Sequence, residues 1–231
     1  MAITAAHLVT TDDLTSGTTI ASGSVTPTNN SLVLVTFVLR NQDANADPGN
    51  PSSVVGGGSH AYTLVNGVLL GSRRRVCVYR ALSSSYTAGA ITGTWAINVA
   101  GSINVDEFAG IDTGGANGAS AIVQSATAGP TTGTGLTVTL AAFGAADHAA
   151  FGGFGHEATE ATTPGGSFVE LGESATATNM GSQTEYFIGD ADPVVTWVTS
   201  VSGSGVGVEI KIAAAAAATI AYRRSLLGVG P

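Results

Sequence analysis

The sequence has little charge and few aromatic side chains. Only 10% of its 231 residues are charged and 6% are aromatic, against roughly 25% charged residues in an average soluble domain. The single cysteine, Cys77, excludes an intrachain disulfide and therefore a small disulfide-stapled module. No apolar run approaches the roughly 20 residues that a membrane helix needs. The short segments rich in Val, Ile and Thr favour an all-β chain instead.

Basic side chains are also scarce. Eight basic residues face 16 acidic ones, which gives a net charge of −8. Nucleic-acid binding normally requires a basic face, so we expect no nucleic-acid partner. The N-terminal segment has neither the basic region nor the continuous apolar stretch of a secretory signal. These features predict a protein that is made in a cytoplasm and has no membrane partner.

A repeated segment contains both Trp residues of the chain. Residues 94–108 return as residues 196–210 at a constant offset of 102, with Thr, Trp, Val, Gly, Ser and Glu identical. Each copy has the pattern of a strand, a Gly-Ser turn and a second strand, which predicts a β-hairpin. Since Trp95 and Trp197 occupy equivalent places, we expect them to be core residues rather than ligand contacts.

The repeat extends beyond this segment and predicts the architecture. Strand patterns in residues 25–112 reappear in the same order in residues 136–212. A unit of roughly 85 residues is small for an independent core, so we expect the copies to share one sandwich. The predicted fold is an all-β, jelly-roll-like antiparallel sandwich over residues 1–212, and two small tandem sandwiches are the alternative. Residues 213–231, which begin with six Ala, form an extended C-terminal arm.

The arm is basic whereas the body is acidic. Residues 1–212 carry 6 basic and 16 acidic residues, and the arm carries two Arg. This contrast favours docking to a partner, and a terminus that packs back on its own sandwich fits the sequence equally well. A second basic cluster lies on a predicted strand, where it fits carboxylate contacts or a charged edge that discourages strand pairing. The candidate docking residues are Arg73, Arg74, Arg75, Tyr222, Arg223, Arg224, Leu226 and Leu227.

Residues 41–59 form a long loop that is a further candidate contact region. Asp43, Asn45 and Asp47 place oxygen atoms at alternate positions, and calcium is bound by such oxygens in larger numbers. The loop lacks the glycine and the bidentate glutamate of a calcium-binding helix–loop–helix, so an ordinary turn-rich loop is the alternative. The candidate ligand-binding residues of this region are Asn50, His60 and Tyr62.

The sequence shows no catalytic constellation. It has no G-x-S-x-G segment, and its four His lie near Ser and Asp only because Ser is abundant. The glycine-rich residues 203–207 lack the following helix that a dinucleotide site needs. Carboxylate pairs occur, but few aromatic residues are present to line a sugar cleft. We therefore expect no catalytic residues, no enzymatic activity and no cofactor apart from calcium at the loop.

The order of segments in the first copy is distinctive. It runs from SLVLVTFVL through a Gly-rich loop to YTLV, RRVCVYRAL and TWAINVAGSINVDEFAGIDTGG. Over most of residues 25–212 this order resembles a family of Gly/Ala/Thr-rich jelly-roll virion structural proteins of tailed bacteriophages and prophages. Membership implies a non-enzymatic virion protein made in the host cytoplasm, either a capsid decoration, cement or spike-type protein or a tail-associated one.

The resemblance also implies partners. These are other virion proteins, such as the major capsid or tail protein, and further copies of the chain in a homo-oligomer. The alternative function is a carbohydrate- or receptor-binding module of a phage tail or fibre, with a host-surface glycan as its ligand.

Overall fold

The computed structural model describes residues 2–131, 135–176, 180–189 and 194–214. Within these residues the chain forms antiparallel sheets, one short 3-10 helix and no helix that could cross a membrane. The predicted all-β antiparallel sandwich is confirmed. The first half contains β1 (Thr4–Ala21), β2 (Leu32–Asn41), β3 (Ser53–Gly56), β4 (His60–Ala61), β5 (Thr63–Leu70), β6 (Arg74–Leu82) and β7 (Thr92–Ala109).

A linker that contains the 3-10 helix (Ala116–Ala121) joins the first half to the second. The second half contains β8 (Ile122–Thr131), β9 (Leu136–Thr139), β10 (Ala149–His156), β11 (Thr163–Pro164), β12 (Val169–Thr176), β13 (Met180–Ile188), β14 (Val194–Val198) and β15 (Gly203–Ile210).

The two halves have the same strand arrangement. In the first half a five-stranded sheet has the order β1-β7-β2-β6-β5, and β3 and β4 extend from the first part of β7. In the second half the order is β8-β15-β10-β13-β12, with β9, β14 and β11 in a small separate sheet. The continuous β7 of the first half therefore corresponds to two strands, β14 and β15, in the second.

Strand register identifies the equivalent residues of the two halves. Leu32 aligns with Leu82 on the neighbouring strand, and Ala149 aligns with Ile188 in the same way. Both outer strands, β5 and β12, are also irregular at the same point of their pairing. The repeat therefore extends to strand pairing and to local irregularities, which the sequence alone does not reveal.

The predicted Thr-Trp hairpins are wrong in both copies. In the first, β7 runs straight through the Gly-Ser pair and is flanked by β1 and β2. In the second, β14 and β15 lie in different sheets and pair with other strands. The repeated glycine serves close packing instead: a Cβ at Gly101 would lie 2.3 Å from the Val38 carbonyl oxygen, and one at Gly203 would lie 2.4 Å from the Phe154 ring.

The described residues form three apolar cores. Each half has an outer core between its five-stranded sheet and the strands that cover it, with Phe37 against Trp95 in one and Phe154 against Trp197 in the other. Both Trp side chains are buried, which confirms their predicted place in the core. The third core lies between the two five-stranded sheets. The arrangement thus combines both architectures considered above, because each half has its own core and the two share a central one.

The two five-stranded sheets pack face to face and are related by an approximate two-fold axis, like the subunits of a symmetric dimer. β1 lies on β12, β5 lies on β8, and β2 lies on β10 near the centre. Glycines of β10 permit this close approach, since a Cβ at Gly153 would lie 2.9 Å from Thr36 Oγ1 and one at Gly155 would lie 2.7 Å from Val38 Cγ1. The seam between the halves is therefore closely packed and depends on the absence of a side chain at Gly153 and Gly155.

Candidate docking and ligand-binding surfaces

The three predicted calcium ligands each have a separate hydrogen-bond donor. Asp43 accepts bonds of 2.8 and 2.9 Å from the backbone and side chain of Asn98. Asn45 accepts one of 2.7 Å from a serine hydroxyl, and Asp47 accepts a bidentate pair from Arg75. Within the described residues no three His, Cys, Asp or Glu side chains are placed to hold a metal ion. These contacts explain the loop without calcium.

The same loop closes the first outer core. The carbonyl of Gly49 accepts a hydrogen bond of 3.3 Å from Trp95 Nε1, and the carbonyl of Pro51 accepts one of 3.2 Å from the Tyr79 hydroxyl. The loop thereby satisfies two buried polar groups of the core that it covers. The bidentate pair between Asp47 and Arg75 holds it in this position, and the hydrogen bond from Arg75 lowers the pKa of the Asp47 carboxyl.

Replacing Arg75 is expected to loosen this loop. Arg75→Ala removes the bidentate partner of Asp47, so we expect a loss of about 1 kcal/mol in the free energy of unfolding and faster hydrogen exchange in residues 42–52. Because the pKa of Asp47 is lowered in the folded state, its contribution is present at neutral pH and is lost as the pH falls through the acid range. Arg73→Ala, two residues away, is the matched control, and equal exchange in both variants would contradict this role of Arg75.

The three candidate ligand-binding residues do not form one accessible site. Tyr62 is only 6% exposed, and burial raises the pKa of its hydroxyl. Asn50 accepts a hydrogen bond of 3.2 Å from Arg75. His60 contacts the Ser83 hydroxyl at 3.1 Å and packs its ring against Tyr86. These side chains belong to the internal contacts of the first half.

The first arginine cluster is largely engaged within the chain. Arg74 donates a hydrogen bond of 2.8 Å to Glu157 of the second half, while Arg75 binds the long loop on the other face of its sheet. Arg73 lies in the turn before β6. The arginine side chains therefore connect parts of one molecule. The other candidate docking residues, Tyr222, Arg223, Arg224, Leu226 and Leu227, lie outside the described residues.

The start of the arm is fixed to the end of the first half. Asp112 N donates to the Lys211 carbonyl and Ala213 N donates to the Gly110 carbonyl, both at 2.9 Å. The Lys211 ammonium lies 2.8 Å from the Asp112 carboxylate, whose pKa it lowers. A groove of about 490 Å³ adjoins this point and is lined by residues 28–31, 109–113 and 213–214. The described start of the arm, residues 213 and 214, is therefore held at the end of the first half.

A polar cluster that the sequence analysis missed lies at the seam between the halves. His7 Nδ1 lies 2.7 Å from the buried Asp106 carboxylate, and His7 Nε2 lies 3.1 Å from the Thr10 hydroxyl. A β-bulge after His7 places both β1 side chains on one face, which regular alternation would not. Burial raises the pKa of Asp106. Thr10 donates its proton to Asn104, which in turn donates to Ser182 of the second half.

The hydrogen bonds decide the role of this cluster. A threonine, a histidine and a carboxylate in this order resemble a nucleophile, a general base and its orienting acid. The single hydroxyl proton of Thr10 is directed to Asn104 at 2.6 Å, however, and so is not directed to His7. β12 also packs closely on the imidazole, since a Cβ at Gly172 would lie 2.3 Å from His7 Cε1. The cluster links the two halves.

A second unexpected feature is a set of buried polar groups in the second outer core. Glu185 is fully buried, and burial raises its pKa to about 9. Among the described residues neither of its carboxylate oxygens has a hydrogen-bond partner of normal geometry. Glu185 occupies the place of Tyr79 in the first half. Trp197 Nε1 has no partner within the described parts of the chain either, whereas the equivalent Trp95 donates to the long loop. The connection from β10 to β12 covers 12 residues (157–168) against 21 (42–62) from β2 to β5, so it is too short to supply the same carbonyls.

No protein-family model matches the sequence, and no curated protein sequence matches it either.

Proposed function

We propose that the chain is a non-enzymatic structural protein of a tailed-phage virion, of the capsid decoration, cement or spike type, that attaches through its C-terminal arm. The observation that supports this most is the fixed start of the arm at Lys211 and Ala213. The acidic body is joined at one defined place to a basic, apolar C-terminal segment. The partners are a major capsid or tail protein and further copies of the chain.

The alternative, a carbohydrate- or receptor-binding module of a tail or fibre, has less support. Of its three candidate residues, Tyr62 is buried, and the exposed Asn50 accepts a hydrogen bond from Arg75. A glycan array probed with the purified chain tests this alternative, and saturable binding to one glycan class would favour it over attachment to the particle.

Reversing the charge of the arm is expected to prevent attachment. With Arg223→Glu and Arg224→Glu together, we expect at least about a tenfold loss in cosedimentation with purified particles of the phage that encodes the chain, because charge-assisted contacts to the partner are replaced by repulsion. Binding of the unchanged protein should weaken as salt is added. Ser225→Ala is the matched control within the arm. Equal binding by both variants would exclude electrostatic docking through these arginines.

A further inference from the structure

The second half carries a small sheet that has no separate counterpart in the first half. It consists of β9, β14 and β11, and within the described residues no strand pairing joins it to a five-stranded sheet. In the first half the corresponding segments are parts of the unbroken strands β1 and β7. In the second half, residues 199–202 have no strand structure and separate β14 from β15. We call the small sheet the flap.

The flap rests on glycines of β10 and β15. A Cβ at Gly152 would lie 2.4 Å from the Trp197 ring, and one at Gly207 would lie 3.0 Å from Val138. By strand register, three larger residues of the first outer core stand in the places of Gly152, Gly205 and Gly207, namely Val35, Ile103 and Val105. A floor without side chains leaves the flap less apolar surface to bury than the matching part of the first half has.

Polar groups lie beneath the flap. Glu185 is directly opposite the floor residue Gly152 on the neighbouring strand, and Tyr79 stands in its place in the first half. Gln183 likewise stands in the place of Cys77. Neither the Glu185 carboxylate oxygens nor Gln183 Oε1 have a hydrogen-bond partner of normal geometry among the described residues. Burial of such groups costs free energy, which is recovered when water reaches them.

The neighbours of Glu185 are acidic. Glu170 lies opposite it on β12, and Glu173 lies on the same face of that strand, opposite Gln183. Glu160 belongs to the connection between β10 and β11, and the three strands of the flap contain no titratable side chain. A negative charge on Glu185 would therefore be repelled by the groups around it.

No nearby positive charge compensates for this repulsion. Residues 113–210 contain neither Lys nor Arg. The titratable side chain on the same face of β10 is His156, which stacks on Phe154. Burial holds the pKa of His156 below its ordinary value of 6.5, so the ring is neutral at pH 7. The closed flap therefore requires Glu185 to be neutral.

We propose that the flap opens while the rest of the molecule stays folded, and that ionisation of Glu185 drives the opening. In the closed state Glu185 keeps its proton beneath the flap. When the flap opens, water reaches the carboxyl, which releases its proton to the solvent. Strands of two to five residues do not form a stable sheet alone in water, so the open flap is unfolded. This inference concerns the isolated chain and does not rest on the proposed function.

The expected pH dependence follows from the two states of Glu185. The closed state holds its pKa at about 9, and the open state returns it to the ordinary value of 4.5. Between these values each pH unit raises the ratio of open to closed flap about tenfold, because only the open state loses the proton. The flap is therefore closed in mildly acidic solution and opens more often as the pH rises.

Hydrogen exchange of the isolated protein between pH 6 and pH 8 tests the proposal. After correction for intrinsic rates, the protection of the β9 and β14 amides should fall about tenfold per pH unit. Protection in residues 92–96 of β7, the counterpart of β14, should stay constant. In Glu185→Gln the protection of β9 and β14 should be constant as well. Glu170→Gln is the matched control, because it changes the carboxyl opposite Glu185, and it should keep the fall.

Tryptophan fluorescence gives a second readout. In Trp95→Phe the only remaining tryptophan is Trp197, which is buried by the closed flap. Quenching of its fluorescence by acrylamide should increase from pH 6 to pH 8. Adding Glu185→Gln to this variant should abolish the increase.

Two results would overturn the proposal. One is protection of β9 and β14 that does not change with pH in the original protein, or that equals the protection of the central strand β2 at every pH. The flap would then not be opened by Glu185. The other is a Glu185→Gln protein that keeps the tenfold fall per pH unit, which would assign the opening to another titratable group.

Discussion

Gly155→Val is expected to force the two five-stranded sheets apart and to lower the free energy of unfolding by about 3 kcal/mol. A Cβ at this position would lie 2.7 Å from Val38 Cγ1 and 2.8 Å from Val76 Cγ2. All three residues are in central strands, where neither backbone can shift without breaking sheet hydrogen bonds. Urea unfolding of the purified variant measures the loss.

Two companion variants show whether the loss comes from the seam. Gly144→Val is the matched control, because no other part of the described structure lies within 4 Å of a Cβ at that exposed glycine, and its effect should stay within about 0.5 kcal/mol. Val38→Ala should recover part of the stability lost in Gly155→Ala, since it removes the methyl groups that the new Cβ meets. A Gly155→Val protein as stable as the original would refute the close packing of the two halves.

Glu185→Gln is expected to stabilise the protein, by an amount that grows with pH. The folded state holds the pKa of Glu185 at about 9 against an ordinary value of 4.5. As the pH rises above 4.5, the unfolded chain loses this proton and the folded chain keeps it, so the original protein loses stability up to about pH 9. Gln does not titrate and avoids this loss. The gain at pH 7 is at most about 3–4 kcal/mol, from about 2.5 pH units at about 1.4 kcal/mol each.

The measurement is urea unfolding of both proteins between pH 5 and pH 9. The stability difference should be small at pH 5 and should increase steadily towards pH 9. Glu160→Gln is the control, and it should lower the free energy of unfolding instead of raising it. Hydrogen bonds from Ser200 stabilise the Glu160 carboxylate and lower its pKa. A Glu185→Gln difference that is independent of pH would show that Glu185 is ionised in the folded protein.

The pattern of apolar residues was sufficient to predict the all-β fold and the central position of β2. That strand reads SLVLVTFVL, and the structure buries it on both faces. The segment that recurs at an offset of 102 residues correctly predicted that both Trp side chains lie in the core. The hairpin prediction failed because a glycine that packs against a neighbouring strand has the same sequence signature as a glycine in a turn. Only the register distinguishes the two cases.

Other features depend on contacts between distant parts of the chain. The acidic residues of the long loop suggest a calcium site. In the structure, however, Asp47 accepts a hydrogen bond from Arg75, which lies 28 residues further along the chain. The link between His7 and Asp106 spans 99 positions and depends on a β-bulge that breaks the alternation. The burial of Glu185 is not evident from the sequence. The only sequence signal for this buried carboxylate is the shorter connection between β10 and β12. That signal becomes informative only after the strand register has identified the equivalent residues of the two halves.

The amount of this chain in purified phage particles tests whether it attaches to the virion through its arm. We expect quantitative mass spectrometry to find the full chain in a fixed ratio to the major capsid or tail protein. A protein that lacks residues 223–231 should fold and accumulate in the cell to the same level, yet be absent from the particles. Particles that contain both proteins equally, or neither of them, would contradict attachment through the arm.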